Sequence, residues 1–245
     1  MEYNSLIHCI PTRWKKGINI HARHAKTDDV YLYCQDRVAK LDEMHCKQFT
    51  NIFLLDHVQT PAAQEKWQKY LNVTDINWKY IYQIPYIVCR DTEIQSLQYK
   101  IINRFFPCNY AVSKWYVEAS DKCNHCQNTD FLEHFFYLCP SLGVFWSSLS
   151  KWWLNNLQCT FKLKPEEVIF GICNENEDNV MDIINYCILM AKYYIAQSRK
   201  KELEPNLYEY LRFIKSKLDI DLVYSRMENQ EQTFVTNWSL LHDSL

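Results

Sequence analysis

Glycine is almost missing: Gly17, Gly143 and Gly171 are the only three in 245 residues. Glycine-rich phosphate loops and sheets built on tight glycine turns are therefore disfavoured, and helices are the expected building unit. A basic excess is missing too. Lys and Arg number 27 against 29 Asp and Glu, a formal net charge of -2, whereas a free-standing nucleic-acid binder usually carries a large positive surplus. Nor is there a long apolar run. The longest, Met181 to Ile195, is interrupted by Asp182, Asn185 and Lys192 and is too short and too polar to span a bilayer. The amino terminus, MEYNSLIHCIPTRW, has an acid at position 2 and no basic lead into an apolar segment, so it does not read as a secretory signal. These absences point to an intracellular protein, nuclear or cytoplasmic, neither secreted nor held in a membrane.

What is present is enough to fold. A hydrophobic fraction of 48% with 15% aromatics fills a core, and the length suits one large or two modest domains. Eleven cysteines, an odd number, with no export signal read as reduced thiols rather than disulfides. Cys9, Cys34, Cys46, Cys89, Cys159, Cys173 and Cys187 lie scattered among apolar residues, where cysteine behaves as a small buried hydrophobe.

Helical signals recur along the chain. Pro61 opens PAAQEKWQKYL, a proline at a first helical position followed by good helix formers. In DTEIQSLQYKIINRFF, Ile94, Leu97, Ile101 and Phe105 share one stripe, with Asp91 or Thr92 placed to cap and Pro107 to end the run. Ile184, Cys187, Ile188, Ala191 and Ile195 form another stripe, and Leu207, Tyr210, Leu211, Ile214 and Leu218 a third. Both need a partner surface. The polar stretches 171–179 and 202–206 read as connections.

Chemistry concentrates in DKCNHCQNTDFLEHFFYLCP. Cys123, Cys126, His134 and Cys139 follow C-x2-C-x7-H-x4-C, three thiolates and one imidazole, the closed donor set of a structural zinc site. Phe131, Phe135 and Leu138 give His134 a short helix with an apolar face, capped by Thr129 or Asp130. On an unbroken helix Cys139 would lie about 140° around from His134. Pro140 supplies the break, pushing Cys139 out of helical geometry while opening the next helix, PSLGVFWSSLSKWWLNN. Phe145, Trp146, Leu149, Trp152 and Trp153 read as that helix's core face. His125 sits between two cysteines that both bind and so points away as a surface or contact residue. One zinc ion per chain, pinning a helix junction, is expected. Four protein donors leave no open position for metal-assisted hydrolysis.

From Trp78 to Trp153 the chain resembles the reverse transcriptase zinc-binding domain that follows the polymerase in LINE-type non-LTR retrotransposons. The matching pieces are WKYIYQIP (78–85), DT (91–92), LQYKIINR (97–104), CNHC (123–126), EHFFYLC (133–139) and FW (145–146), with IFG (169–171) and AKYYI (191–195) similar to the tail of animal elements. The resemblance implies Cys123, Cys126, His134 and Cys139 as zinc ligands and a grip on template RNA or target DNA. The polymerase itself is not matched, because the only Asp-Asp, Asp28–Asp29, has Lys26 where the catalytic box needs an aromatic residue. No endonuclease is matched either.

These readings combine into a set of expectations. The fold is mainly α, an irregular helical domain with a Cys3His zinc knuckle at a helix–helix junction and few or no strands. Its organisation is a mainly helical region over 1–77, the zinc-binding domain over 78–157 and a helical region over 158–245. The leading function is a zinc-stabilised module that binds RNA or single-stranded DNA through Lys100, Arg104, Lys114, Trp115, Tyr116, Lys122 and His125, charge combined with stackable rings. The alternative is a protein-interaction module docking a partner through the carboxy-terminal helices, or an inactive element remnant. No enzyme is expected, since no nucleophile triad, phosphate loop or open metal site can be pointed to.

Overall fold

The computed structural model describes residues 31–34, 37–40, 60–160, 163–173 and 179–245. The chain divides into two compact units, Met1–Gln59 and Thr60–Leu245. The first contributes one described element pair, an antiparallel hairpin of β1 (Tyr31–Cys34) and β2 (Arg37–Lys40) with Tyr31 opposite Lys40 and Cys34 opposite Arg37. Residues 9, 26, 28, 29 and 46, which figured in the sequence reading, lie outside the described residues.

The second unit is helical: α1 (Ala62–Leu71), α2 (Trp78–Val88), α3 (Thr92–Ile102), α4 (Asn109–Val112), α5 (Gly143–Leu157), α6 (Pro165–Phe170), α7 (Asn179–Lys200), α8 (Leu207–Met227) and α9 (Glu231–Ser244). A π-turn (His134–Leu138) and a 3-10 turn (Pro140–Leu142) precede α5. One continuous core runs from Ala63 to Leu241, so residues 77/78 and 157/158 fall inside a single packed body. Among the described residues no helix is long and apolar enough to cross a membrane.

Helix α7 is the spine. It packs against α2, α3, α8, α9 and the π-turn, and Ile184, Cys187, Ile188, Ala191 and Ile195 are all within 1% of full burial. The stripe of α8 is spent internally as well, with Tyr210, Ile214 and Leu218 buried and the Tyr210 hydroxyl donating to the Cys187 carbonyl at 2.6 Å. In α5 the expected core face holds, Phe145, Trp146, Leu149 and Trp153 being buried and Trp152 half-buried.

The shortage of glycine shows at helix ends. A helix commonly closes on a residue with positive φ, usually glycine. Here Asn72, Arg104, Gln158, Glu202 and Asn229 take that conformation, with φ between 51° and 59°. After α3 the motif is complete: the Phe105 amide donates to the Lys100 carbonyl at 2.7 Å and the Arg104 amide to Ile101 at 3.0 Å. This turn ends the helix before the stripe expected at Ile94, Leu97, Ile101 and Phe105 is finished. Phe105 is left 64% exposed, and Phe106 packs instead on Phe135 and Phe136. Of the scattered cysteines, Cys89 and Cys187 are buried as expected, Cys159 is half-buried, and Cys173 is exposed because the chain leaves α6 for the surface there.

Candidate metal centre

The knuckle begins as a small antiparallel turn. Lys122 bridges Thr129, the Cys123 amide donates to Asn128 at 2.8 Å and the Gln127 amide to Cys123 at 2.9 Å. Gln127 takes the left-handed conformation, φ 62°, that lets the turn close directly after Cys126. His134 and Cys139 arrive on the far side from the π-turn. Its Cys139 amide donates to the His134 carbonyl at 3.1 Å, a five-residue hydrogen bond that brings a fifth-residue neighbour around to the same side. Cys139 itself is extended, φ -64° and ψ 127°, and Pro140 opens the next turn. The expected break at Pro140 is thus present, with the π-turn as an addition the residue pattern did not signal. Widening the helix also turns Leu138 outward, 42% exposed rather than part of the apolar face.

The four expected donors converge. The ligand atoms of Cys123, Cys126, His134 and Cys139 lie within 4.8 Å of one another, three of the residues buried and Cys126 half-buried. The Cys123–Cys139 and Cys126–Cys139 sulfurs are each 3.8 Å apart, and Cys126 Sγ lies 3.2 Å from His134 Nε2. A tetrahedral ion with metal–sulfur bonds of about 2.3 Å sets sulfur–sulfur edges of about 3.8 Å. Two sulfur–sulfur distances therefore equal such an edge, while the 3.2 Å sulfur–nitrogen contact and the 4.8 Å spread of the group leave the four donors gathered at ligand distance without a finished tetrahedron. His125 stands outside this cluster, as its spacing implied.

Electrostatics favour the binding forms of two donors. Burial lowers the pKa of His134, Arg199 acts in the same direction and Asp130 against it, so the ring is held neutral with a lone pair for a cation. Burial by itself would raise Cys139, but hydrogen bonds from the Ser141 side chain and backbone, then Arg199, outweigh it and bring its pKa below the ordinary thiol value. The Ser141 hydroxyl lies 3.1 Å from that sulfur. Burial raises Cys126.

Sequence reading missed two neighbours that bear on the site. Asp130, 1% exposed, takes an amide from Asn109 at 3.3 Å on Oδ2 and Arg199 Nη1 at 3.3 Å on Oδ1. Arg199, at the end of α7, also reaches Cys123 Sγ at 3.6 Å. No local spacing announces a contact spanning 76 residues.

The expected nucleic-acid residues separate into two groups. Trp115 and Tyr116 are 65% and 66% exposed on an arm that follows α4, and α4 is anchored to the knuckle by the Tyr110 amide donating to the Asp130 carbonyl at 3.2 Å. Lys100 and Lys114 are exposed, Lys114 lying over the Tyr110 ring at 4.1 Å. Lys122 is half-exposed beside Asp121. Arg104 is committed elsewhere: its guanidinium sits 4.3 Å over the buried Trp67 ring and 3.8 Å from the Glu133 carboxylate, whose side chain is 3% exposed. His125 is half-buried in the knuckle turn.

Compared with known proteins, the chain matches no protein-family model and no curated protein sequence.

Proposed function

We propose that the chain is a zinc-stabilised nucleic-acid-binding module derived from the carboxy-terminal part of a retrotransposon reverse transcriptase, with no polymerase or endonuclease activity of its own. The observation that carries the reading is the pairing of a closed Cys3His cluster with an exposed aromatic arm, Trp115 and Tyr116, tied to it through Asp130. Three thiolates and an imidazole at mutual ligand distance suit zinc, whose structural sites use this donor set. With all four positions held by protein, the ion's role is structural: it fixes the knuckle and the start of α5. Lys100, Lys114 and Lys122 supply charge and the arm supplies ring faces for unpaired bases. Arg104 makes the smaller contribution, since Glu133 already neutralises it.

A salt titration of binding to single-stranded RNA and DNA oligonucleotides tests this. Affinity that falls steeply with salt indicates phosphate contacts, and absence of binding at every salt concentration overturns the reading. One observation favours the protein-interaction alternative. Ile220, Val223, Tyr224 and Met227, at helical spacing on α8, are between 50% and 75% exposed, so α8 keeps an outer apolar stripe after its inner one is buried.

A further inference from the structure

A cation with three thiolates and one neutral imidazole is not electrically neutral: a divalent ion leaves the cluster with one net negative charge. Asp130, buried beside it, adds another. The residue facing both is Arg199. Its side chain is 7% exposed, and Nη1 alone reaches Asp130 Oδ1 at 3.3 Å and Cys123 Sγ at 3.6 Å. The guanidinium plane covers the Phe135 ring at 4.5 Å. Among the described residues, its Nε and Nη2 have no hydrogen-bond partner.

A guanidinium buried this deeply is costly unless negative charge compensates it. With neutral thiols the carboxylate of Asp130 alone must do so, through one atom. With a metal-bound cluster, Cys123 becomes a permanent thiolate and the same Nη1 meets two anions. The arrangement is therefore suited to the loaded state of the site. Its position adds reach: Arg199 belongs to α7, the central helix, whereas the four donors belong to residues 123–139. Asp130 also accepts from Asn109 at the start of α4, which carries the aromatic arm.

We propose that Arg199 is a fifth member of the metal centre, a positioning residue in the outer sphere. It compensates the excess thiolate charge and makes docking of the knuckle on α7 depend on metal loading. This rests on the metal reading given above, and its consequence is specific: removing the guanidinium should weaken metal binding without touching a ligand. Outer-sphere partners of metal ligands typically contribute 10- to 100-fold in affinity.

The test uses the full chain with Zn2+ and a competing chelator of known affinity. Arg199→Met, close in length but uncharged, is expected to bind zinc about 10- to 100-fold more weakly than wild type, and Arg199→Lys to recover part of the loss. Melting temperatures recorded with zinc and with excess chelator give a second readout: Arg199→Met should lower the loaded protein's melting temperature more than the stripped protein's. Equal zinc affinities for wild type and both variants, or equal thermal losses with and without metal, would show that Arg199 only packs and would overturn the proposal. Should Arg199→Met fail to fold, Arg199→Gln, which also lacks the charge, decides, since zinc affinity equal to wild type without a cation at this position leaves no role for charge compensation. Wild type that binds no zinc at all would instead bring down the metal reading itself, and this proposal with it.

Discussion

Lys192 lies in the middle of α7, 1% exposed, and its ammonium donates to Gln98 Oε1 at 2.5 Å and to the Ile169 carbonyl at 3.2 Å. Among the described residues these two neutral acceptors are its hydrogen-bond partners. Burial pushes its pKa down from 10.5 to about 7. The sign of the consequence follows from proton counting. Between pH 7 and 10.5 the unfolded chain holds a proton that the folded chain has released, so stability rises with pH across that window and is flat below it. Going from pH 7 to 9 covers about 1.7 units of the difference, about 2 kcal/mol at roughly 1.4 kcal/mol per unit, or a melting-temperature rise of about 4–8 °C. Two buried thiols work in the opposite direction: Cys89 and Cys187 are raised to about 12 by burial, so they hold stability below pH 9 and lose it above. Comparing wild type with Lys192→Met cancels them. The variant leaves Gln98 without its donor, a fixed loss of about 1–3 kcal/mol, but it should lack the upward slope. Thermal melts of both proteins from pH 6 to 9 measure it. Parallel curves would refute the reasoning, because they would mean that the amine keeps its proton in the core and that Gln98 and Ile169 suffice to hold it.

Cys126→Ser should abolish stoichiometric zinc by metal analysis and remove the stabilisation that loading supplies, about 4 kcal/mol when free zinc exceeds the dissociation constant a thousandfold; Cys173→Ser, at an exposed position, should change neither. Glu202→Gly relieves a left-handed residue at the end of α7, φ 58°, and should raise stability by roughly 0.5–1 kcal/mol in denaturant melts, the steric relief exceeding the added chain entropy. Trp115→Ala should leave the melting temperature unchanged, since the side chain is 65% exposed, while weakening RNA binding roughly tenfold if one base stacks on it at about 1–3 kcal/mol. Arg104→Ala should do the reverse, lowering stability by leaving the Glu133 carboxylate buried without its cation, with little change in the salt dependence of binding.

The Cys3His cluster was legible because its geometry is local: four residues within seventeen positions, with a proline marking where the helix must end. Helical stripes were legible for the same reason, each being periodic over one short segment. Legibility failed where the deciding contact is distant or the local signal is contradicted. Pro85 lies inside α2, where a proline ordinarily ends a helix, and no helix was read from that segment. Helix ends on Arg104, Gln158 and Glu202 carry no glycine to announce them. Arg104 and Trp115 looked alike as candidate contacts in the sequence; the buried Trp67 and Glu133 beside the first, and the 65% exposure of the second, separate them.

The polar residues of α7 were the least legible of all. In the sequence, Asn185 and Lys192 merely interrupt an apolar run, and Arg199 lies four residues beyond its end. In the structure they stand seven residues apart in succession, so that a helix drifting only about 20° per heptad keeps them on one seam. Each clasps a different segment: Asn185 exchanges hydrogen bonds with the Ile172 backbone at 2.7 and 2.9 Å, Lys192 holds Gln98 and Ile169, and Arg199 holds Asp130 and Cys123. The apolar flanks of α7 resist sliding through close packing, and the seam adds to that resistance a penalty in unpaired polar groups. A slip of one turn, about 5.4 Å, would strip a buried amide, a buried ammonium and a buried guanidinium of their partners together, at about 1–3 kcal/mol or more for each. The polar interruptions that argue against a membrane span thus help to set the register of the central helix, and with it the distance from the core to the Cys3His cluster.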